Sequence, residues 1–422
     1  MQRNHNDEHG ITLPLVAICL FVILGMAALA IDVVSLYVAR TEAQRAADAA
    51  ALAAAKAMVD TGFTSGLALT PTDVCSGGSA SAANQEATKA ALQNMIAGQA
   101  ATVQSVSCNL ANVQNPEVSV TVQRTGLPTF FSRIWGNSGN SVTATATAEA
   151  FNPSGQTSAP PISVASVKPF LIPNCDPSSS SGLPCPAFYF SGAGWALNNP
   201  ATYIGSQHLF MQNQAAGPTW NGYLVADMSS IPASVCPSTA ALPSGSCSRA
   251  RSGGVYDSIA CGNTNVISCG DTLMVHSSTG GPPDQGDASE GTQCLIHSST
   301  TTTIACTSPN TTYDQDCFMP GPPVTIQGGI SNPNPALQSR ANISRSDSVV
   351  TVPVYDGSSQ PCPTGTPCTV TVIGFLQLGI QDVDPFGAVR AIVLNAAGCG
   401  SSTGTPISGG GVSPIPVRLV HN

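Results

Sequence analysis

Charged side chains are scarce in this chain of 422 residues, of which they make up only 9%. Its 14 basic residues are outnumbered by 23 acidic ones, and lysine occurs only at Lys56, Lys89 and Lys168. Proteins that bind nucleic acid carry clustered basic residues for the phosphates, and this sequence has no such cluster. We therefore expect no nucleic-acid partner.

Familiar catalytic and metal-binding motifs are also missing. The chain contains no C-x-x-C, no H-E-x-x-H and no Walker loop, and His208, His276 and His297 lack ligand spacing. The string Gly400–Gly404 matches G-x-S-x-G, but the glycine-rich run after it cannot form the helix that a nucleophile elbow needs. We expect no cofactor, no metal and no small-molecule substrate. An extracytoplasmic hydrolase using Ser402 is a minor alternative.

Only one long apolar run is present, from Gly10 to Ile31, and Asp32 ends it. About 20 apolar residues in a helix cross a bilayer core. An alanine-rich stretch follows as far as Ala57, and alanine is the best helix former. The pattern predicts one continuous helix from about Leu13 to Val59, with its first half in lipid and its second half in water.

This block resembles the N-terminal segment of the Flp/Tad pilus-assembly proteins, the TadE/TadG-like family. The matching residues are Gly10, Pro14-Leu15-Val16, Ala27–Asp32, Leu36–Arg40 and Gln44–Ala55. A fainter similarity in Phe130–Gly136 and Thr143–Ala148 extends to about Phe151. The resemblance implies a part in pilus assembly through a membrane and assembly helix. Its candidate residues are Gly10, Pro14, Gly25, Asp32, Tyr37, Arg40, Gln44 and Asp48.

The sequence departs from family patterns at two points. Type IV-like prepilins have glutamate at the fifth position after the cleaved glycine, where this chain has Leu15, so the unprocessed, TadG-like branch is favoured. TadG-like proteins often carry a D-x-S-x-S metal motif, but the nearest string, Asp227–Ile231, lacks the second serine. A metal site there would miss one oxygen ligand.

Several features of the apolar helix have more than one interpretation. Ala28-Leu29-Ala30 fits a signal-peptidase site, although the long apolar run and the continuing helix favour an uncleaved anchor. Gly25 and the alanines near it could let a second helix approach closely, or these small residues could reflect helix propensity alone. Asp32 and Asp48 are expected to be solvated charges at the membrane exit rather than specific contacts.

Fifteen cysteines are present, of which Cys19 lies inside the apolar run. The other fourteen are an even set in loop-rich sequence, which indicates disulfides formed in an oxidising compartment. The cysteines thus place the chain after Asp32 outside the cytoplasm. Under the positive-inside rule Arg40 and Arg45 favour the opposite orientation, but we give the cysteines more weight. We predict that neighbours along the chain pair, which leaves Cys317 and Cys399 to each other. The predicted pairs are Cys75/Cys108, Cys175/Cys185, Cys236/Cys247, Cys261/Cys269, Cys294/Cys306, Cys362/Cys368 and Cys317/Cys399.

The expected fold class is α+β. We predict a helix over Ser81–Gly98 with a stripe of Ala87, Ala91, Met95 and Ile96, and a strand at Val118–Val122. The domains are a cytoplasmic tail (1–9), the transmembrane and alanine-rich helix (10–60), a pilin-like α+β head (61–151), a linker (152–166) and a mostly-β, disulfide-rich domain (167–422).

Short strands are predicted through the last of these domains. Thr369–Gln381 has apolar residues on both faces, as in a central buried strand, and Asp384–Gly387 can turn it into a hairpin. The other predicted strands are Ala187–Phe190, Tyr223–Ala226, Leu273–His276, Val324–Gln327, Val349–Tyr355, Ala388–Asn395 and Pro416–Val420.

These features predict a non-enzymatic, single-pass protein of the bacterial inner membrane. The bulk of the chain would lie in the periplasm or on the cell surface, with other pilus-assembly or pilin-like subunits as partners. The alternative is a membrane-anchored surface adhesin or binding module. A secretion ATPase and a prepilin peptidase encoded nearby would favour assembly over adhesion.

Overall fold

The computed structural model describes most of the chain. The described ranges are 9–127, 139–179, 184–212, 222–227, 233–235, 254–263, 266–275, 285–306, 309–357, 368–401, 404–408 and 412–420.

Four helices and 22 strands lie in these ranges. The helices are α1 His9–Asp60, α2 Ala82–Gln93, α3 Val255–Ala260 and α4 Gln285–Leu295. The strands are β1 Met95–Ile96, β2 Gln99–Ala100, β3 Thr102–Asn109, β4 Glu117–Leu127, β5 Asn140–Ala150, β6 Ile162–Ala165, β7 Phe170–Pro173, β8 Phe190–Ser191, β9 Ala196–Leu197, β10 Gln207–Phe210, β11 Leu224–Val225, β12 Ala233–Val235, β13 Gly262–Asn263, β14 Val266–Ser268, β15 Thr272–Met274, β16 Cys317–Met319, β17 Thr325–Gln327, β18 Val349–Tyr355, β19 Thr369–Val383, β20 Val389–Gly398, β21 Ile407–Ser408 and β22 Val417–Val420.

Helix α1 confirms the predicted continuous helix and contains 52 residues. At 1.5 Å per residue it is about 78 Å long. Its two halves have different surroundings, because the side chains before Ala39 are mostly exposed while the alanines from Ala39 to Ala57 are mostly buried.

The buried half of α1 and helix α2 pack on an antiparallel four-stranded sheet in the order β22-β5-β4-β3. Strand β4 turns Val118, Val120 and Val122 inward, as predicted, and all three are fully buried. Most of the facing residues on α1 and α2 are alanines, so the helices lie close to the sheet and the layer is thin.

The predicted helix Ser81–Gly98 is shorter than expected. Helix α2 ends before Asn94, and β1 and β2 form a hairpin in which Ala97 and Gly98 have φ of 49° and 77°. Positive φ at both central residues is typical of a tight hairpin turn, which a glycine favours. Met95 is consequently exposed instead of belonging to the helix stripe.

A second, larger sheet forms the body of the protein, with strand order β10-β20-β19-β18-β7-β11 and β15 added against β19. Strand β19 is buried along nearly its whole length and lies between β18 and β20, which confirms the predicted central strand. The Asp384 carboxylate accepts hydrogen bonds from the amides of Phe386 and Ala388. This turn, with Gly387 at φ 81°, joins β19 to β20 as predicted.

Other predicted elements differ in extent. Ala187–Phe190 overlaps β8 only at Phe190, and the segment 152–166, expected as a linker, contains β6 and fully buried Asn152 and Ser154. Strand β22, expected with the body, pairs with β5 of the four-stranded sheet. Helices α3 and α4 were not predicted, and Phe130–Gly136 lies outside the described residues.

Disulfides connect several pairs of described cysteines. Cys75–Cys108 and Cys175–Cys185 are as predicted. The pairings Cys261/Cys269 and Cys317/Cys399 are wrong, because Cys269 bonds to Cys399 across a separation of 130 residues. These two cysteines follow β14 and β20, and the fold brings the strand ends together.

The remaining cysteines divide into three groups. The pairing Cys294/Cys306 is wrong, because Cys306 is a free thiol, as are Cys317 and Cys19. Cys261, Cys294 and Cys368 are disulfide-bonded. Cys236, Cys247 and Cys362 lie outside the described residues, so the pairings Cys236/Cys247 and Cys362/Cys368 stay predictions.

Candidate assembly surface

The first half of α1 carries most of the exposed large apolar side chains among the described residues. Leu13, Phe21, Met26 and Tyr37 are each at least 69% exposed, and smaller apolar side chains fill the positions between them. By length and composition this helix is able to cross a membrane, with a mean hydropathy of 2.8 in its most apolar window. A contiguous apolar surface of this kind marks contact with lipid or with another protein.

Several predicted helix residues mark the transition from the exposed to the buried half. Asp32 is 5% exposed, which corrects the expectation that it is solvated. Tyr37 and Arg40 point outward. Asp48 accepts a hydrogen bond of 2.8 Å from the Gln44 amide, which also lies 3.4 Å from the Thr145 carbonyl oxygen of β5.

Three further predicted residues lie in the first half of α1. A Cβ placed at Gly25 would meet no atom of the described residues within 4 Å apart from the helix's own backbone, so the space beside it is open to a second helix. Pro14 is exposed, and α1 continues through it. Gly10 is part of the first turns of α1.

A buried polar cluster joins the short turn after α1, Phe63–Ser65, to the large sheet. The Asn152 amide nitrogen donates hydrogen bonds of 2.9 Å to the carbonyl oxygens of Thr64 and Ala396. The hydroxyl of Ser65 lies 3.1 Å from the Asn395 side-chain oxygen, and Ser154 accepts a hydrogen bond of 2.7 Å from the Gly398 amide. We call these residues the junction cluster.

The junction cluster was not found by sequence reasoning. Its members are asparagines and serines scattered over three segments, and nothing in their spacing distinguishes them from the polar residues of ordinary loops. They are buried because the tertiary fold brings those segments together. Paired hydrogen bonds then hold the end of α1 and the large sheet in one arrangement.

A groove of about 710 Å³ lies beside this junction. Its walls come from α1, α2, the region before β18 and the segment leading into β22. Charges of both signs line it, including the ion pairs Lys56–Asp60 and Lys89–Glu86 and the exposed Arg345. Because the charges are mixed, the groove shows no preference for a ligand of one sign.

Lys168 is an ionisable residue of the body whose side chain is buried. Its ammonium group is buried and donates hydrogen bonds of 2.7 and 2.6 Å to the carbonyl oxygens of Ile259 and Cys261. Burial lowers the pKa of Lys168 to about 8. The contacts attach the segment before β7 to the end of α3, which is a structural role.

The histidines and the motif fragments are dispersed. Burial lowers the pKa of His208, whose ring lies near Phe188 and Phe210, while His297 lies 3.5 Å from the Asp347 carboxylate. Residues His276, Ser402 and 228–231 lie outside the described part. No group of three or more metal-ligating side chains occurs among the residues that the structure describes.

The fold and this surface define a mixed α+β protein with a long helix suited to a membrane and a mostly-β, disulfide-containing body. The model of a protein family described as putative Flp pilus-assembly TadE/G-like matches residues 10–57. This match confirms the resemblance drawn from that block and covers most of α1. No curated protein and no solved structure matches the chain significantly.

Proposed function

We propose that this chain is a non-enzymatic, membrane-anchored component of Flp-type pilus assembly, a TadG-like protein acting as a minor pilin-like or envelope accessory subunit. Its partners are the bilayer, crossed once, and other pilus-assembly or pilin-like subunits. The proposal is carried by one observation: the family match coincides with α1, whose first half has an apolar surface that the described chain leaves exposed.

The architecture around α1 supports a pilin-like head. A long helix that projects at one end and packs by its other half on an antiparallel sheet presents a membrane segment and a folded surface on one rigid element. We assign the head to residues 61–151 together with the second half of α1. Residues 152–166 connect it to a second domain over 167–422, whose last strand, β22, returns to pair with β5 of the head.

The disulfides support a position outside the cytoplasm. Cytosolic thiols are kept reduced, whereas Cys75–Cys108, Cys175–Cys185 and Cys269–Cys399 need an oxidising compartment to persist. We therefore place the N-terminal tail in the cytoplasm of a bacterium, α1 across its inner membrane, and the rest in the periplasm or on the cell surface.

Deleting the gene and counting pili by electron microscopy tests the assembly role. We expect the deletion strain to lose pili and a plasmid copy to restore them. Normal pili in the deletion strain would contradict the proposal. Carbonate extraction of membranes tests the anchor separately, since an integral protein stays in the pellet.

Site-specific photo-crosslinking tests which surface meets the partners. A photoreactive phenylalanine analogue at Phe21, which is 75% exposed, should give adducts with other pilus-assembly proteins. The same analogue at Phe318, which is fully buried in the body, is the matched control and should give none. Adducts with lipid alone at Phe21 would restrict the first half of α1 to anchoring.

A further inference from the structure

Two free thiols of the body, Cys306 and Cys317, lie beside each other. Each thiol is close enough to shift the pKa of the other, Cys317 is completely buried at the start of β16, and Cys306 is half-buried. The other described cysteines after the apolar run are all disulfide-bonded; these are Cys75, Cys108, Cys175, Cys185, Cys261, Cys269, Cys294, Cys368 and Cys399.

The side chain of Gln381, on β19, holds this pair in position. Its amide nitrogen lies 2.8 Å from the Cys306 sulfur and 2.9 Å from the carbonyl oxygen of Phe318, the residue after Cys317. Gln381 is 3% exposed, and its amide oxygen accepts a further hydrogen bond from Gln207. Because this one amide contacts both the Cys306 sulfur and the backbone next to Cys317, the two sulfurs are held at the same place on the sheet.

The two thiols have different chemical environments. The neighbouring Cys317 thiol lowers the pKa of Cys306, whereas the interaction with Cys306 and burial raise the pKa of Cys317 far above its ordinary value. The carboxylates of Asp316 and Asp382 face the pair and raise the pKa of Cys317 further. The thiolate, which is the reactive form, therefore forms more easily on Cys306, the more accessible sulfur.

We propose that Cys306 and Cys317 form a further disulfide of the mature protein, and that Cys306 reacts first. The Cys306 thiolate attacks a disulfide of a thiol–disulfide oxidoreductase, which releases one thiolate of that enzyme and leaves a mixed disulfide. Cys317 then loses its proton and attacks the Cys306 sulfur, which releases the second thiolate. Two protein thiols are oxidised, and the two electrons and two protons end on the oxidoreductase dithiol.

Mass mapping of the intact, full-length protein tests the disulfide. Thiols are blocked with N-ethylmaleimide in whole cells, and the unreduced protein is cleaved on the amino side of aspartate. Asp314 and Asp316 lie between the two cysteines, so this cleavage places Cys306 and Cys317 in different peptides. We expect one disulfide-linked product joining them, and maleimide on both cysteines would overturn the inference.

The inference rests on the location outside the cytoplasm that the proposed function includes. The state of the Cys269–Cys399 disulfide distinguishes a failure of this inference from a failure of the proposed location. If Cys269 and Cys399 are linked while Cys306 and Cys317 carry maleimide, only the present inference fails. If all four carry maleimide, the location fails and the inference fails with it.

The order of attack is tested by single substitutions in a Cys19→Ser background, so that the exposed thiol of α1 does not react. Cys317→Ser leaves Cys306 without its partner, and we expect several-fold more mixed disulfide with an oxidoreductase or with glutathione than in Cys306→Ser. The reverse ratio, or equal amounts, would overturn the order. A retained Cys269–Cys399 link in both variants shows that the body has folded.

Discussion

The junction cluster gives the sharpest test of how α1 is held to the body. Asn152 is fully buried, and its side chain makes four hydrogen bonds. Two run from its amide nitrogen to the carbonyl oxygens of Thr64 and Ala396, and two run to its oxygen from the amide and hydroxyl of Ser154. Substitution Asn152→Ala removes all four without allowing water to enter easily.

The expected loss follows from the groups left behind. A buried polar group left without its partner costs about 1–3 kcal/mol. The Ala396 carbonyl keeps a second donor, the Ser65 hydroxyl at 3.2 Å, so its loss is small. The Thr64 carbonyl and the Ser154 amide carry most of the penalty, and we expect a decrease of about 3 kcal/mol in the free energy of unfolding.

Urea unfolding of the full-length protein in detergent, followed by circular dichroism with disulfides intact, measures this difference. The matched control is Asn198→Ala, since the Asn198 amide nitrogen also donates to two carbonyl oxygens, those of Ala187 and Phe188. Asn198 is only half-buried, so water replaces its contacts and about 1 kcal/mol or less should be lost. Equal losses in the two variants would refute the reasoning.

Three further predictions concern the body and the anchor. Lys168 has a pKa of about 8 in the folded state, against 10.5 in the unfolded state. Between these pH values the unfolded state holds a proton that the folded state has released, so the free energy of unfolding should rise with pH by up to about 3 kcal/mol. Lys168→Met should abolish this rise in urea titrations at pH 8 and pH 10. Gly379→Ala would place a carbon against the ring of buried Phe318 and should lower the melting temperature. Gly286→Ala, in open space on α4, should raise or preserve it. Val22→Asp, at the middle of the apolar run, should make insertion of the helix into the bilayer less favourable by about 2.5–3.5 kcal/mol. Protein should then move from the carbonate-resistant pellet to the supernatant.

Elements with strong local patterns were predictable from the sequence. Helix α1 follows from an uncharged run joined to an alanine-rich run, and both signals belong to adjacent residues. Strand β19 follows from apolar residues on both faces, and its turn at Asp384–Gly387 follows from local turn chemistry. The two correct disulfides, Cys75–Cys108 and Cys175–Cys185, also join cysteines that are neighbours along the chain.

Features that depend on distant contacts were not predictable. Cys269–Cys399 forms because β14 and β20 lead to the same place, which the spacing of cysteines does not reveal. Asn152 looks like a linker residue in sequence and becomes a buried hydrogen-bonding centre only when Thr64 and Ala396 are brought to it. Helix α2 ends early because Ala97 and Gly98 form a hairpin turn, in competition with a helix cap.

Strand β22 gives the body a second attachment to the α1 layer. It adds to the edge of the four-stranded sheet by pairing with β5, and the Arg418 guanidinium pairs with the Glu149 carboxylate, which is 8% exposed. The same guanidinium lies 5.6 Å from the centre of the Phe151 ring. Because the junction cluster and β22 hold the body at two separate places, rotation of the body about either one is opposed by the other. A surface on the body therefore keeps a fixed direction relative to α1, which an assembly subunit needs if its helix and its body are to meet partners together.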